Sequence, residues 1–258
     1  MEEKKMYDIQ RASMLKRISA FLLDFILMMI AVTGFAFLLS LVTGFDGHNA
    51  ELAAKQSEYE TLYGVDFDID PADYEKLTED EQKKINDAYE QFAKDKDVIK
   101  SYNMIFNLTL LITTLSIFLA FMLLEFVIPL IFKNGQTVGK KVFALGVVHT
   151  NAVRLTHVAL FARTLLGKYT IETMVPVIIV IMMLFGSGGM TGLIVLGLIL
   201  VLQLFVFFKD KLCTPIHDVL SHTVCVDLST QMIFENADEL IKYKEALHKE
   251  AADRADYF

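Results

Sequence analysis

An all-α membrane fold is predicted: a four-transmembrane-helix bundle with an extracytoplasmic acidic helical insert and a small cytoplasmic β element. Three observations predict it. The chain is 54% hydrophobic with mean hydropathy +0.43, and its apolar residues come in blocks instead of at amphipathic spacing. The blocks are long enough to cross a hydrocarbon core of about 30 Å at about 1.5 Å per residue. Negative charge is confined: residues 43–103 hold 16 acids against 7 Lys, which accounts for the whole net charge of −8. The remainder is close to neutral, so nucleic-acid binding is not suggested. With no Trp, the interfacial aromatic belt falls to Tyr and Phe. Two cysteines, Cys213 and Cys225, do not make a disulfide framework.

Residues 1–42 read as a cytoplasmic N-terminus and the first span. Lys4, Lys5, Arg11, Lys16 and Arg17 precede the apolar block and place this end in the cytoplasm. The block from Ile18 is too long for a signal h-region of about 7–15 residues, so it reads as a retained helix. Asp24 lies inside it, two turns beyond Arg17 and about 10 Å along the same face. A carboxylate at that depth costs about 2.5–3.5 kcal/mol, so it should face protein or water. Its partner is expected to be basic: Arg17, Arg163 or Lys168. The alternative is a protonatable or cation-binding carboxylate.

Residues 43–103 form the polar insert, a helical hairpin. A first helix is expected over about 49–63. A second starts at the capping box Thr78-Glu79-Asp80-Glu81 and continues with Ile85, Ala88, Tyr89 and Phe92 on one face. Asp66-x-Asp68-x-Asp70 resembles the start of a calcium loop but fails as one. Pro71 takes the glycine position, and Leu77 stands where the bidentate Glu belongs. It reads as a solvated acidic turn.

The second span covers 104–132 and holds Glu125 and Pro129. Glu125 is near one end, where it either pairs with a basic loop residue or belongs to an ion path. Residues 133–172 comprise a cytoplasmic glycine loop, a strand and an interfacial helix. Lys133, Lys140, Lys141 and Arg154 set the side. Gly135-Gln136-Thr137-Val138-Gly139-Lys140-Lys141 has the wrong glycine spacing for a phosphate loop, and Lys141 replaces the magnesium-binding hydroxyl. It reads as a glycine-hinged turn with cationic ends on the membrane surface. Phe143–Val148 is β-rich and is expected to pair with Thr223–Asp227.

Residues 165–208 hold the third and fourth spans. The uncharged run from Thr173 to Phe208 is too long for one crossing and breaks at Gly186-Ser187-Gly188-Gly189. Its first part is short and must borrow residues from about Leu165, drawing Lys168 and Glu172, an i,i+4 pair, into the membrane. A strongly bent or re-entrant third helix is the alternative. Residues 209–258 form a cytoplasmic tail ending in an amphipathic helix. Within it, Asp218 is expected to cap or to pair with a lysine of the glycine loop. Cys213-x3-His217-x4-His222-x2-Cys225 offers zinc-type atoms at a spacing that fits no standard site. No metal or cofactor is expected.

Three motifs occur in order: Lys16-Arg17-x6-Asp24, Gly135-Gln136-Thr137-Val138-Gly139-Lys140, and His217-Asp218-x4-Thr223-Val224. Together they resemble the RDD family of bacterial membrane proteins, named for one Arg and two Asp. Carried over position by position, these are Arg17, Asp24 and Asp218. The resemblance covers about residues 10–42 and 104–228, leaving the insert and the tail outside it. It implies a polytopic protein of the bacterial plasma membrane that moves a small ion or solute, with cation/proton exchange proposed for some members. The ligand or proton path would then include Arg17, Asp24, Glu125, Lys168, Glu172 and Asp218. The alternative is a non-transporting scaffold that binds a partner protein through its insert or tail. No nucleophile–base set or metal motif points to an enzyme. Four spans without an inverted repeat are few for a carrier, so a transporter would be a homo-oligomer in the lipid bilayer.

Overall fold

The computed structural model describes residues 9–10, 12–186, 188–209 and 214–255, with side chains through Glu250. Lys4, Lys5, Arg11 and Cys213 lie outside the described residues. Among the described residues, four helices are long and apolar enough to cross a membrane: Met14–Thr43, Lys96–Phe132, His157–Leu184 and Gly189–Lys209. They are called the first to fourth spans below. The chain divides into two compact units, residues 33–116 and the remainder.

In the unit 33–116, the insert folds as helices Phe45–Tyr63 and Glu79–Lys94 joined by the short helix Pro71–Tyr74. The first begins four residues earlier than the apolar pattern suggests. The second opens on the expected capping box, with Thr78 Oγ1 accepting from Glu81 N and Glu81 Oε2 accepting from Thr78 N. Ala88 is fully buried, and the rings of Tyr59, Phe67, Tyr89 and Phe92 cluster with centroids 5.5–6.2 Å apart, edge to face for Tyr59 with Phe92 and for Phe67 with Tyr89 and tilted for the other two pairs. Glu60, Asp66 and Asp68 converge, but Gln56, Phe67 N and Asp68 N already donate to their oxygens. The acidic turn is built by its own hydrogen bonds.

In the other unit the first three spans pack together through Met28 and Val32, Ile117 and Phe121, and Tyr169, Met174 and Val177. The third and fourth meet at Gly192, where an added Cβ would lie 2.9 Å from Met183. The interfacial helix and third span expected from sequence are one continuous helix, His157–Leu184. Both central spans widen to π geometry: the second over Met122–Val127, the third over Ala162–Met174. Each widened stretch ends just before a proline, Pro129 or Pro176. Proline lacks the N–H for the carbonyl four residues back, and its ring collides with that carbonyl. Those carbonyls belong to Glu125 and Glu172. A looser turn relieves the clash, and π turns recur at functional positions.

A two-stranded antiparallel sheet joins β1 (Leu145–His149) to β2 (Thr223–Asp227), with Leu145 opposite Asp227 and Val147 opposite Cys225. The expected pairing is present. It starts two residues later than predicted because Val138–Val142 is a short helix and Ala144 turns at φ 54. Leu145, Val147, Val148, Val224 and Val226 are all buried, so the β-branched run reflects a strand covered on both faces. Gln10 and Ala12 lie beside β2: Ala12 N donates to the Cys225 carbonyl and Asp227 N to the Gln10 carbonyl.

The start of the first span is tied to this sheet by Lys16 Nζ, 2.6 Å from Asp227 Oδ2. That bond and the Ser229 hydroxyl lower the Asp227 carboxyl to about 2. A lowered carboxylate pKa stabilises the fold above the unfolded value of about 3.9, and the benefit is lost as pH falls through the folded value. In detergent, wild type should therefore melt higher than Asp227→Asn above pH about 4, and the gap should close by pH about 2. A gap that persists unchanged to pH 2 would show that the pair does not titrate as stated.

Candidate functional site: a buried charge network on the third span

The third span carries three charged side chains within its widened stretch: Arg163, Lys168 and Glu172. Arg163 is 3% exposed. Burying a guanidinium is costly unless its donors are met. Its Nε donates to Asp218 Oδ1 at 2.6 Å, and one terminal nitrogen meets His217 Nε2 at 3.1 Å. A guanidinium only donates, so His217 Nε2 must be the acceptor. The proton then sits on Nδ1, which faces Glu172 at 2.8 and 2.9 Å. His217 is the neutral Nδ1–H tautomer. Burial pushes its imidazole down from the ordinary range, and Arg163 works in the same sense against Asp218 and Glu172.

Asp218 is 2% exposed. Burial alone would raise its carboxyl, but Arg163, His217 and the Thr223 hydroxyl (2.8 Å) outweigh it and hold the group well below the usual carboxylate range. Ser221 Oγ continues the chain to Thr223 Oγ1 at 2.9 Å. The short helix Ile216–Leu220 that presents His217 and Asp218 can lie this close because residue 167 is glycine. A Cβ there would stand 2.5 Å from His217 Cβ.

Glu125, on the widened turn of the second span, is 4% exposed. Lys168 Nζ reaches its Oε1 at 2.5 Å, and Thr164 Oγ1 donates at 3.0 Å to the Glu125 carbonyl, the one that Pro129 leaves without its helical donor. Glu125 Oε2 is buried with no hydrogen-bond partner among the described residues.

Asp24 is held differently from the expectation. Its Oδ1 accepts from Gly139 N at 2.7 Å and its Oδ2 from Thr137 Oγ1 at 2.5 Å. The glycine loop thus does bind an anion, and that anion is the chain's own carboxylate. The loop is docked against the first span: a Cβ on Gly139 would overlap the Ala20 carbonyl oxygen and stand 2.9 Å from Asp24. A hydroxyl and an amide satisfy the carboxylate, so no basic partner is required. Arg17 turns elsewhere, its guanidinium 5.9 Å from the Phe207 ring of the fourth span.

Of the predicted residues, Glu125 and Lys168 form one pair, and Glu172 and Asp218 meet through His217 and Arg163. The i,i+4 pairing of Lys168 with Glu172 is not made, because the π turn alters the spacing and each side chain has a partner on another element. Asp218 pairs with Arg163, not with a loop lysine. Glu125 pairs with a span lysine, not with a loop residue. The zinc-type spacing is not used that way by the described residues: both nitrogens of His217 are occupied, and Cys225 packs with Ala12, Ala20 and Leu145. Sequence reasoning missed Thr137, Lys140 and the central place of Arg163. The signal for Arg163 was available, since it is a guanidinium one turn before a glycine in the interfacial helix that leads into the third span.

The RDD family model matches residues 11–222. A search of curated proteins and a search of solved structures returned no match.

Removing one member of a buried ion pair leaves the other unpaired, at a cost of about 3–5 kcal/mol. Asp218→Leu should therefore destabilise strongly in detergent unfolding, and Arg163→Leu with Asp218→Leu should cost clearly less than the sum of the single changes. Strict additivity would contradict the pairing.

Proposed function

Since the chain belongs to the RDD family, we propose that it exchanges a small monovalent cation for a proton across the bacterial plasma membrane. The observation that carries this reading is Glu125 Oε2, an ionisable oxygen buried without a hydrogen-bond partner among the described residues, on a carboxylate paired with a half-buried lysine. Intramembrane charges are expensive and mark ion and proton paths. In this reading Arg17, Asp24, Glu125, Lys168, Glu172 and Asp218 line or support the path. His217, neutral and held between Glu172 and Arg163, links the buried charges of the third span to the segment beyond the fourth.

The reading includes a non-enzymatic, multi-pass protein with both termini cytoplasmic and the acidic insert outside. Support for that orientation comes from the lysines of residues 133–157 and of the N-terminal stretch. Side-specific labelling should modify Ser57→Cys from outside and spare Thr150→Cys, and the reverse pattern would contradict it. The first and fourth spans keep long apolar faces exposed, among them Phe21, Phe25, Leu198 and Phe205. These faces meet lipid and, in this reading, other copies in a homo-oligomer.

Asp24→Asn separates charge from structure. The amide can still accept from Gly139 N and share a hydrogen bond with Thr137, so the loop stays docked while the charge is lost. In liposomes holding a sodium or potassium gradient and a pH dye, wild type should move protons against the cation. Asp24→Asn should fold normally and fall below about a tenth of that rate, as expected for loss of a path carboxylate. Full exchange by Asp24→Asn would overturn the reading.

A further inference from the structure

The unit 33–116 carries an open groove of its own. It lies between residues 66–70 and the helix Glu79–Lys94 and has a volume of about 360 Å³, toward the lower end of the range of about 300–1,000 Å³ usual for ligand pockets. Along residues 66–70 exposure alternates. Phe67 and Ile69 are half-buried and line the groove, while Asp66, Asp68 and Asp70 are exposed. The helix supplies Ile85 and Tyr89, and Tyr74 and Glu75 also line the space. Asn86 Nδ2 donates to the Tyr74 hydroxyl at 3.0 Å and fixes that ring. Tyr89 remains 57% exposed, although Phe67 and Phe92 both touch its ring. The result is an aromatic and aliphatic floor with a row of carboxylates beside it. The charge there is one-sided. Residues 66–81 hold eight acids against one lysine, and that lysine, Lys76, is paired with Asp73 at 2.7 Å. Asp66, Asp68 and Asp70 accept from the Asp68 amide, the Gln56 side chain and the Ala72 amide. Neutral donors satisfy those oxygens but leave the charge uncompensated.

We infer that this groove docks a basic peptide segment, which inserts one aromatic or branched aliphatic side chain into the cavity and sets lysines or arginines against Glu75 and the exposed aspartates of residues 66–70. Charge complementarity selects this occupant. A concentrated negative field draws in cations and repels anionic lipid, and it repels a second copy of the insert, which carries the same 16 acids against 7 lysines. A single small cation meets Glu75 at the cavity and leaves the neighbouring aspartates unmatched, whereas a segment with several basic residues matches them together. An apolar anchor in a pocket, ringed by polar contacts, is the arrangement in which a few residues carry most of a peptide's affinity, and basic side chains also gain from lying over Tyr faces. The inference does not depend on cation exchange. With the insert outside, as proposed, the segment is extracytoplasmic.

The test measures binding of labelled peptides to the full chain in zwitterionic nanodiscs by fluorescence anisotropy, at about physiological ionic strength. The probe is a short peptide of lysines around a central Phe-Leu pair. One control peptide has serines in place of that pair, and another has glutamates in place of the lysines. Wild type should bind the probe at least about tenfold more tightly than either control. Glu75→Lys reverses an exposed charge at the groove, and Ile69→Ser removes part of its apolar wall. Each should weaken the probe by at least about fivefold. Asp46→Lys makes the same charge change about 25 Å along the helix Phe45–Tyr63 from its groove end. With a screening length of about 8 Å it should leave binding within about twofold of wild type. Glu75 is exposed and its side chain makes no hydrogen bond among the described residues, so Glu75→Lys tests the groove even if Ile69→Ser fails to fold. Several results would overturn the inference. Equal weakening by Asp46→Lys, or equal binding of the serine peptide, would show diffuse charge attraction alone. Equal binding of the glutamate peptide would show that charge plays no part. Equal binding to empty nanodiscs would assign the probe to lipid. Disulfide-linked dimers of Ile69→Cys that the probe cannot block would assign the groove to a second copy. No binding to folded wild type at about 1 mM peptide would leave the groove without this ligand.

Discussion

The guanidinium of Arg163 is the group on which the rest of the polar architecture depends. It is a permanent charge in a helix long and apolar enough to span a membrane, and burial leaves it no water to satisfy its donors. It meets this cost by pulling a segment from beyond the fourth span against the third, so that Asp218 and His217 face it. The consequences propagate by hydrogen-bond logic. Asp218 must stay ionised, His217 must offer a lone pair at Nε2, and its remaining proton must face Glu172. Gly167 makes the approach sterically open, and β2 begins five residues after Asp218 with Thr223, whose hydroxyl donates to the same carboxylate. The small sheet is thus positioned by the charge that the third span carries.

A second constraint is backbone shape. Pro129 and Pro176 each deprive a glutamate carbonyl of its helical donor, and each follows a widened turn. In the second span this presents Glu125 so that its carbonyl takes the Thr164 hydroxyl while its side chain takes Lys168. In the third, threonine hydroxyls reinforce the wider winding: Thr170 Oγ1 donates to the Leu165 carbonyl and Thr173 Oγ1 to that of Lys168, each five residues back. The glutamates that matter to the network therefore sit where the helices are irregular. Regular α-helical spacing would aim them differently.

Much of this fold is legible in the sequence because the signals are local. Hydropathy blocks place four spans, the Thr78 capping box opens its helix, and β-branched runs give both strands. The residue pairings are less legible. Sequence spacing puts Arg17 and Asp24 on one helical face and Lys168 four before Glu172, and both patterns suggest partners within a helix. The partners instead come from elements over a hundred residues away, as for Asp24 with Thr137 and Gly139, or from across a π turn that nothing but a following proline foreshadows. The glycine loop shows the same limit. Its spacing excludes a phosphate, and yet its amide and hydroxyl do bind an anion, one supplied by the first span. Arg163 was readable as a buried cation, but the sequence does not say which acid would reach it.

The claim that Arg163 dictates the protonation of its neighbours is tested most directly by the nitrogen chemical shifts of the His217 ring. In protein labelled at histidine nitrogens and reconstituted in lipid, the His217 signals, assigned by their loss in His217→Gln, should show Nδ1 protonated and Nε2 bare at neutral pH. Replacing Arg163 with leucine should release that preference. An Nε2–H tautomer in wild type, or a doubly protonated ring at neutral pH, would contradict the account, because either would set an N–H against the guanidinium.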